Sequence, residues 1–437
     1  MRAVVRTLVR IAVAIVVLAA IGIAGLAGYR WLHNDRDVMA ADAPASPELV
    51  KHGEYLAHAA DCVACHQVPG GKPYAGGTPF KLPFGVIYST NITPDKETGI
   101  GTWSDDDFVR ALHHGVRKDG RHLYPAFPYT SYTRMSRDDA VAIKAYLFSL
   151  EPVHAPAKKN ELSFPFNQRW AMAFWNMAFL DARRFRDDPD RKPEQNRGDY
   201  VANALGHCGE CHTPRNLAFA LDDGKEFAGA DIQGWRAYNI TSDKTFGVGA
   251  WTDQQLSDYF AKGHAQGRAA ASGPMAEAVE YSTRHLNEGD RNALISYLRI
   301  VKAQPGPAGT EIAPDPESLK KSTAWAPPAD AAKGDLGRKI FEGACASCHQ
   351  YDGKGQQTPY AGLAGLRSVN DPDGVNLTMA LLQGSDLKDI NSGAWMPSFA
   401  AYSDVELAAV ANYVIGHFSG KQGQVTPEKV AERRKQQ

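Results

Sequence analysis

Residues 53–66 read GEYLAHAADCVACH, and the last five of them, Cys62-Val-Ala-Cys65-His66, dictate what the surrounding chain has to enclose. The pattern returns as GDYVANALGHCGECH at 198–212 and as GRKIFEGACASCH at 337–349. In each copy a glycine opens a short helix-like segment that runs into Cys-x-x-Cys-His. The candidate residues are Cys62, Cys65 and His66, then Cys208, Cys211 and His212, then Cys345, Cys348 and His349. These motifs use all six cysteines of the 437-residue chain.

Cys-x-x-Cys-His is the covalent attachment motif for a c-type haem. Two thiols at that spacing reach the two vinyl groups of one porphyrin, and the adjacent histidine comes beneath the iron as its proximal ligand. Other uses of paired cysteines suit the pattern less. Zinc would want two such pairs converging, or a cysteine pair with a histidine pair at a set distance. A thioredoxin-like pair would occur once, within a βαβ pattern. A disulfide framework belongs to short secreted chains. The motifs therefore predict three covalently bound haem c groups, their iron held by His66, His212 and His349.

Outward from the motifs, the repeat continues. NITPDKETGIGTWSDDDFVRAL (91–112) is matched by NITSDKTFGVGAWTDQQLSDYF (239–260), and the third copy keeps only VNLTMALLQG (375–384). Each copy closes with a segment of helical period, at 136–150, 287–301 and 403–418, with apolar residues three and four apart. Ser136 and Ser403, each followed by acidic residues, are expected N-caps. Nothing reads clearly as an extended sheet, so each copy is expected to be a small all-α domain. A prior of about 100–200 residues per domain gives about three for this length.

Two connectors separate the copies. The first holds Phe164, Phe166, Trp170, Phe174, Trp175 and Phe179 in a helix-like middle. Two readings stay open for these aromatics: packing between the first and second domains, or docking to a partner subunit or the membrane surface. The second connector is rich in Pro and Ala and reads as an extended strap. The expected organisation is a membrane anchor or signal segment (1–31), a first domain (46–152), an aromatic-rich connector (153–195) and a second domain (196–303). A Pro/Ala-rich linker (304–333), a third domain (334–418) and a polar tail (419–437) follow.

At the N-terminus, Arg2, Arg6 and Arg10 precede the uncharged run IAVAIVVLAAIGIAGLAG (11–28), followed by Tyr29 and Trp31. Eighteen apolar residues at about 1.5 Å each approach a bilayer core of about 30 Å. The run exceeds a signal-peptide core, and its aromatic end suits an interface anchor, although its small residues would also permit cleavage. A transmembrane helix is expected, with the arginines kept in the cytoplasm and the remainder sent across the inner membrane to the periplasm. With 43% hydrophobic residues and a formal net charge of −1, nothing suggests a nucleic-acid partner. The chain has no dinucleotide fingerprint and no P-loop.

Three haem motifs behind an apolar N-terminus, the paired NIT…W loops, NRGDY…LGHCGECHTPRN (196–216) and AWMPSFA…YSDVELAAVANYV (394–414) together resemble the tri-haem cytochrome c subunit of bacterial membrane-bound dehydrogenases. The resemblance spans about Ser46 to Phe418. It implies the class I cytochrome c fold, repeated three times behind a transmembrane helix. It implies an electron-transfer subunit with no catalytic residue of its own, serving a larger quinoprotein, flavoprotein or molybdoprotein subunit that oxidises an alcohol, sugar or aldehyde. Electrons would pass to ubiquinone or a terminal oxidase. A free-standing membrane electron carrier and a haem enzyme are the alternatives. His113, His114, His122 and His264 are expected at the surface or against haem propionates rather than as catalytic bases.

The distal side is read from methionines, because a thioether can take the sixth iron position. Met275 follows His212 by 63 residues and Met396 follows His349 by 47, and both precede the closing helix. The same interval from His66 falls, 61 residues on, at Phe127 within Pro125-Ala126-Phe127-Pro128. Phenylalanine has no lone pair. The nearest methionine, Met135, lies 69 residues from His66. The first haem is therefore expected to be five-coordinate, or ligated by Met135 through a rearranged loop.

Overall fold

A computed structural model describes residues 2–37, 42, 44–306, 310–311, 335–356, 358–386 and 395–436. Each repeat is built around one crossing of two helices. The opening helices are Pro47–Ala59, Pro193–Tyr200 and Leu336–Ile340, and the closing helices are Arg137–Ser149, Glu288–Leu298 and Asp404–Ser419. The closing helices start where their caps put them. Ser136 accepts from Asp139 N, Asn287 from Asp290 N, and Ser403 from Glu406 N with Glu406 reaching back.

The repeated glycine of the opening helix sits at the crossing. A Cβ on Gly53 would lie 1.8 Å from Ala142 O, one on Gly198 2.0 Å from Ala293 O, and one on Gly337 2.1 Å from Ala409 O. Next to each carbonyl is the Cβ of a tyrosine one turn on, Tyr146, Tyr297 or Tyr413. Only a residue without a side chain lets the two backbones come this close.

The all-α expectation needs correction, because among the described residues four small antiparallel sheets lie between the helices. Pro79–Leu82, Gly85–Tyr88 and Glu161–Leu162 form one of three strands, in register Pro79 to Tyr88 and Gly85 to Leu162. Ala230–Ile232 pairs with Trp235–Ala237, His264–Ala265 with Ala269–Ala270, and Ser385–Asp386 with Trp395–Met396. Their turns explain them. Gln233 (φ 49°) and Gly234 (φ 85°) both have the positive φ of the two-residue hairpin turn whose twist matches the strands.

The N-terminal expectation is corrected as well. The apolar run lies in one helix, Arg2–His33, yet among the described residues no helix is long and apolar enough to cross a membrane. The side chains of Ile11, Ala12, Ile15, Val16, Leu18, Ala19 and Trp31 lie outside the described residues. The end of this helix is tied to the connector, Arg30 donating to Ala178 O at 3.1 Å.

Most buried apolar side chains of the first two repeats form one continuous cluster reaching from Leu56 to Val301, whereas the third repeat has its own cluster, which Trp235 and Ala270 of the second repeat join. Two of the connector aromatics follow the packing reading. Phe166 stacks on Phe84 at 4.2 Å, and Trp175 donates to Ala218 O at 2.8 Å, so these pack between repeats. Phe164 and Trp170 are 78% and 65% exposed. The strap falls largely outside the described residues. Segment 419–437 is more than a polar tail. Thr426 caps a helix, Pro427–Arg434, that buries Val430 in the third core and sends Arg433 to Gly234 O at 2.9 Å.

The crossing yields a direct test. Gly198→Val should lower the stability of the protein by at least about 1–3 kcal/mol, the usual range for overpacking. Gly416→Ala, in a closing helix with no atom nearer than 3.8 Å, should not. Thermal or denaturant midpoints of the two variants check this.

Candidate functional site

Each motif histidine stands at the end of a single helical turn, Cys62–Cys65, Gly209–His212 or Ala346–His349. In all three the ring Nδ1 meets a backbone carbonyl. The partners are Thr90 O at 2.6 Å for His66, Tyr238 O at 2.6 Å for His212 and Ala361 O at 2.7 Å for His349. A carbonyl can only accept, so Nδ1 carries the proton and Nε2 keeps its lone pair. Metal-binding histidines are oriented in this way by a hydrogen bond from the opposite nitrogen. Burial pulls all three imidazoles below their usual range against the effect of that bond, His212 to about 4, which leaves them neutral at pH 7.

The repeated Asn-Ile-Thr explains how two of these carbonyls are held, since Thr90 and Tyr238 each precede its asparagine. Asn91 Oδ1 accepts from Thr93 N at 2.9 Å and Thr93 Oγ1 at 2.8 Å, while its Nδ2 donates to Val153 O at 2.7 Å, beyond the closing helix. Asn239 repeats this with Thr241 N at 2.8 Å and Gln304 O at 2.8 Å. The asparagine thus clasps the acceptor loop to the chain that leaves the repeat. In the third repeat the acceptor comes only 12 residues after His349, from the helical turn Pro359–Ala361.

None of the six cysteines is in a disulfide. Burial pushes Cys62 and Cys208 up to about 12 and Cys211 and Cys345 to about 11, with Cys65 raised further. These thiols stay protonated. Among the described residues no three His, Cys, Asp or Glu side chains come together to hold a metal ion by themselves.

A continuous cavity of about 1400 Å³ runs past the motifs, touching Cys65 of the first repeat, Cys208, Cys211 and His212 of the second, and Cys345, Cys348 and His349 of the third. This exceeds the roughly 300–1,000 Å³ of a single small-molecule pocket. Met275 and Met396 both line it. Two buried donors on its wall, Trp251 Nε1 and Arg367 Nε, have no hydrogen-bond partner. Leaving such groups unpaired costs on the order of 1–3 kcal/mol each. A large flat group with acceptors at its edge fits these walls, and haem is such a group. The second and first repeats meet here: Cys211 is among the groups that raise the Cys65 thiol, and Ser282 donates to Ala59 O at 3.2 Å.

The first repeat differs on its distal side. Phe127 packs against the shared core with its ring 5.5 Å from that of Tyr132, and Met135 is fully buried within that core. The other histidines have structural partners. His113 and His114 both bind Asp37, at 2.7 and 3.0 Å, and His264 packs on Tyr360. His122 pairs through its backbone with Val116 in an isolated bridge, while its ring Nδ1 is buried without a hydrogen-bond partner. Sequence reasoning did not find Arg367, which is 6% exposed and held down to about 10 by burial. It belongs to no repeated motif, so no signal marked it.

The cytochrome c family pattern matches residues 50–151 and 334–416. The chain is 39% identical over 404 residues to the fructose dehydrogenase cytochrome subunit of Gluconobacter japonicus, covering 89% of this chain and 83% of that one. It is 37% identical over 414 residues to the gluconate 2-dehydrogenase cytochrome c subunit of Pantoea cypripedii, covering 90% and 91%. It is 36% identical over 383 residues to the cytochrome c subunit of the quinone alcohol dehydrogenase of Gluconobacter oxydans (strain 621H), covering 85% and 78%.

Proposed function

The chain belongs to the family of cytochrome c subunits of dehydrogenases, and from that premise we propose that it conducts electrons through three haems, one per repeat. It is an electron-transfer subunit that takes electrons from a separate catalytic dehydrogenase subunit. A bound haem supplies a one-electron iron couple. The chain's own part is to hold it: Cys62 and Cys65, Cys208 and Cys211, and Cys345 and Cys348 as thioether anchors, with His66, His212 and His349 beneath the iron. The observation that carries the number three is the threefold recurrence of one local geometry, a buried neutral histidine whose Nδ1–H is held by a carbonyl 2.6–2.7 Å away.

Met275 and Met396, on the cavity wall, are the distal ligands in this reading, and Phe127 leaves the first haem without one. Met135 is committed to the core. The partner is a quinoprotein, flavoprotein or molybdoprotein, and the acceptor is ubiquinone or a terminal oxidase. The repeats face the periplasm at the bacterial inner membrane. Thioether attachment, an extracytoplasmic process in bacteria, supports this location.

Three measurements check these statements. Replacing Cys208 and Cys211 together with Ala should remove one of three haems per chain by pyridine haemochrome. An unchanged count sinks the assignment. In spheroplasts that also carry the catalytic subunit, substrate should reduce the haems and ubiquinone or oxidase should reoxidise them, and protease added outside should abolish the signal. Last, the oxidised protein should show one high-spin haem beside two low-spin ones. Phe127→Met should convert it to low-spin, while Met135→Ala should leave the spectrum unchanged and lower stability by about 2–5 kcal/mol, as for other buried methionines.

A further inference from the structure

Arg367 is a residue of the third repeat whose charged end lies in the second. It opens the helical turn Arg367–Asn370, and its neighbours Leu366 and Val369 are both in the third core. Its guanidinium reaches the other way. Nη1 donates to Asn239 O at 3.0 Å, Nη2 donates to Phe246 O, and the group lies 4.5 Å over the ring of Tyr238. All three partners belong to the second repeat, and Tyr238 is the residue whose carbonyl orients His212.

Among the described residues this cation is buried without an ion pair, and Asp371 acts on it only through space. An arginine does not lose its proton in a protein, and an ion taken out of water costs several kcal/mol unless paired. Its two hydrogen-bonded partners are neutral carbonyls, and its Nε has none. Asp371, the carboxylate nearest in sequence, is engaged elsewhere, with Arg236 at 3.0 Å and the Tyr238 hydroxyl at 3.2 Å. The side chain lines the cavity that also touches Cys208, Cys211 and His212. A full positive charge therefore lies on the wall of the space beside the second motif, and none of the described residues forms an ion pair with it.

Haem carries two propionate carboxylates. We propose that Arg367 of the third repeat binds a propionate of the haem attached at Cys208 and Cys211, so that one repeat supplies the counter-charge for its neighbour's cofactor. The inference rests on the second repeat's holding a haem, as argued above. Two effects follow. A fixed positive charge near the iron favours the reduced state, which raises the potential of this haem above the value its own repeat would give. The third repeat also becomes part of the second haem's site, which holds the two in a fixed relation.

The test is a spectroelectrochemical titration of the full-length holoprotein, its Arg367→Gln and Arg367→Lys variants, and the same pair in the Cys208→Ala/Cys211→Ala background. Haem per chain is counted in every sample. Gln keeps donors for the two carbonyls but not the charge, and Lys keeps the charge but not the fork. One midpoint should fall in Arg367→Gln by at least a tenfold change in the reduction equilibrium, about 59 mV for a one-electron couple. Most of that loss should be restored in Arg367→Lys, and no shift should occur in the background lacking the second haem. Unmoved midpoints at full haem content, equal shifts in Gln and Lys, or a shift that persists in that background would each overturn the proposal. A haem count that the double cysteine replacement fails to lower would instead refute the underlying haem assignment, so the two failures are told apart.

Discussion

A carbonyl oxygen standing where a side chain would otherwise be is the constraint on which each repeat depends. At Gly53, Gly198 and Gly337 the opening helix presses its backbone onto the closing helix at Ala142, Ala293 and Ala409. Close backbone contact leaves no room for sliding or rotation, because any shift brings a neighbouring Cβ into the carbonyl. The point from which the cysteine motif departs is fixed by that contact. Eight to thirteen residues after each glycine come the two thiols, so the crossing determines where a covalently tethered group has to lie.

The histidine is then aimed by a second device. A carbonyl at 2.6–2.7 Å fixes both ring orientation and tautomer, and in two repeats that carbonyl is itself fixed by an asparagine. The third repeat reaches the same end through a shorter loop. What the three share is therefore a requirement of the metal-facing nitrogen and not a conserved stretch of loop. This accounts for a third copy that keeps so little of the sequence between its motif and its closing helix.

Much of this was legible in the sequence and some was not, for physical reasons. The closing helices were readable because apolar residues recur at helical spacing and Ser136 and Ser403 announce their starts. The hairpins were not, since strands of two to four residues, such as His264–Ala265, are too short to show alternation. The acceptors of the histidine protons are main-chain oxygens and leave no trace in residue type, although the paired Asn-Ile-Thr marked two of the loops. The apolar run at 11–28 looked like a membrane span from its lack of charge, yet no helix among the described residues is long and apolar enough to be one. Arg367 escaped because a residue that serves a neighbouring repeat obeys no periodicity of its own.

The unequal joining of the repeats has a consequence for how the molecule comes apart. The first and second share one apolar interior, while the third keeps its own and meets the second chiefly through polar links such as Arg236 with Asp371 and Asn376 with the Arg236 backbone. Cooperative opening follows contiguous packing. Hydrogen exchange would therefore divide the chain into two units rather than three. A breach in the first repeat would open the second with it, whereas the third would exchange as a unit of its own, held to its neighbour by the polar links between them.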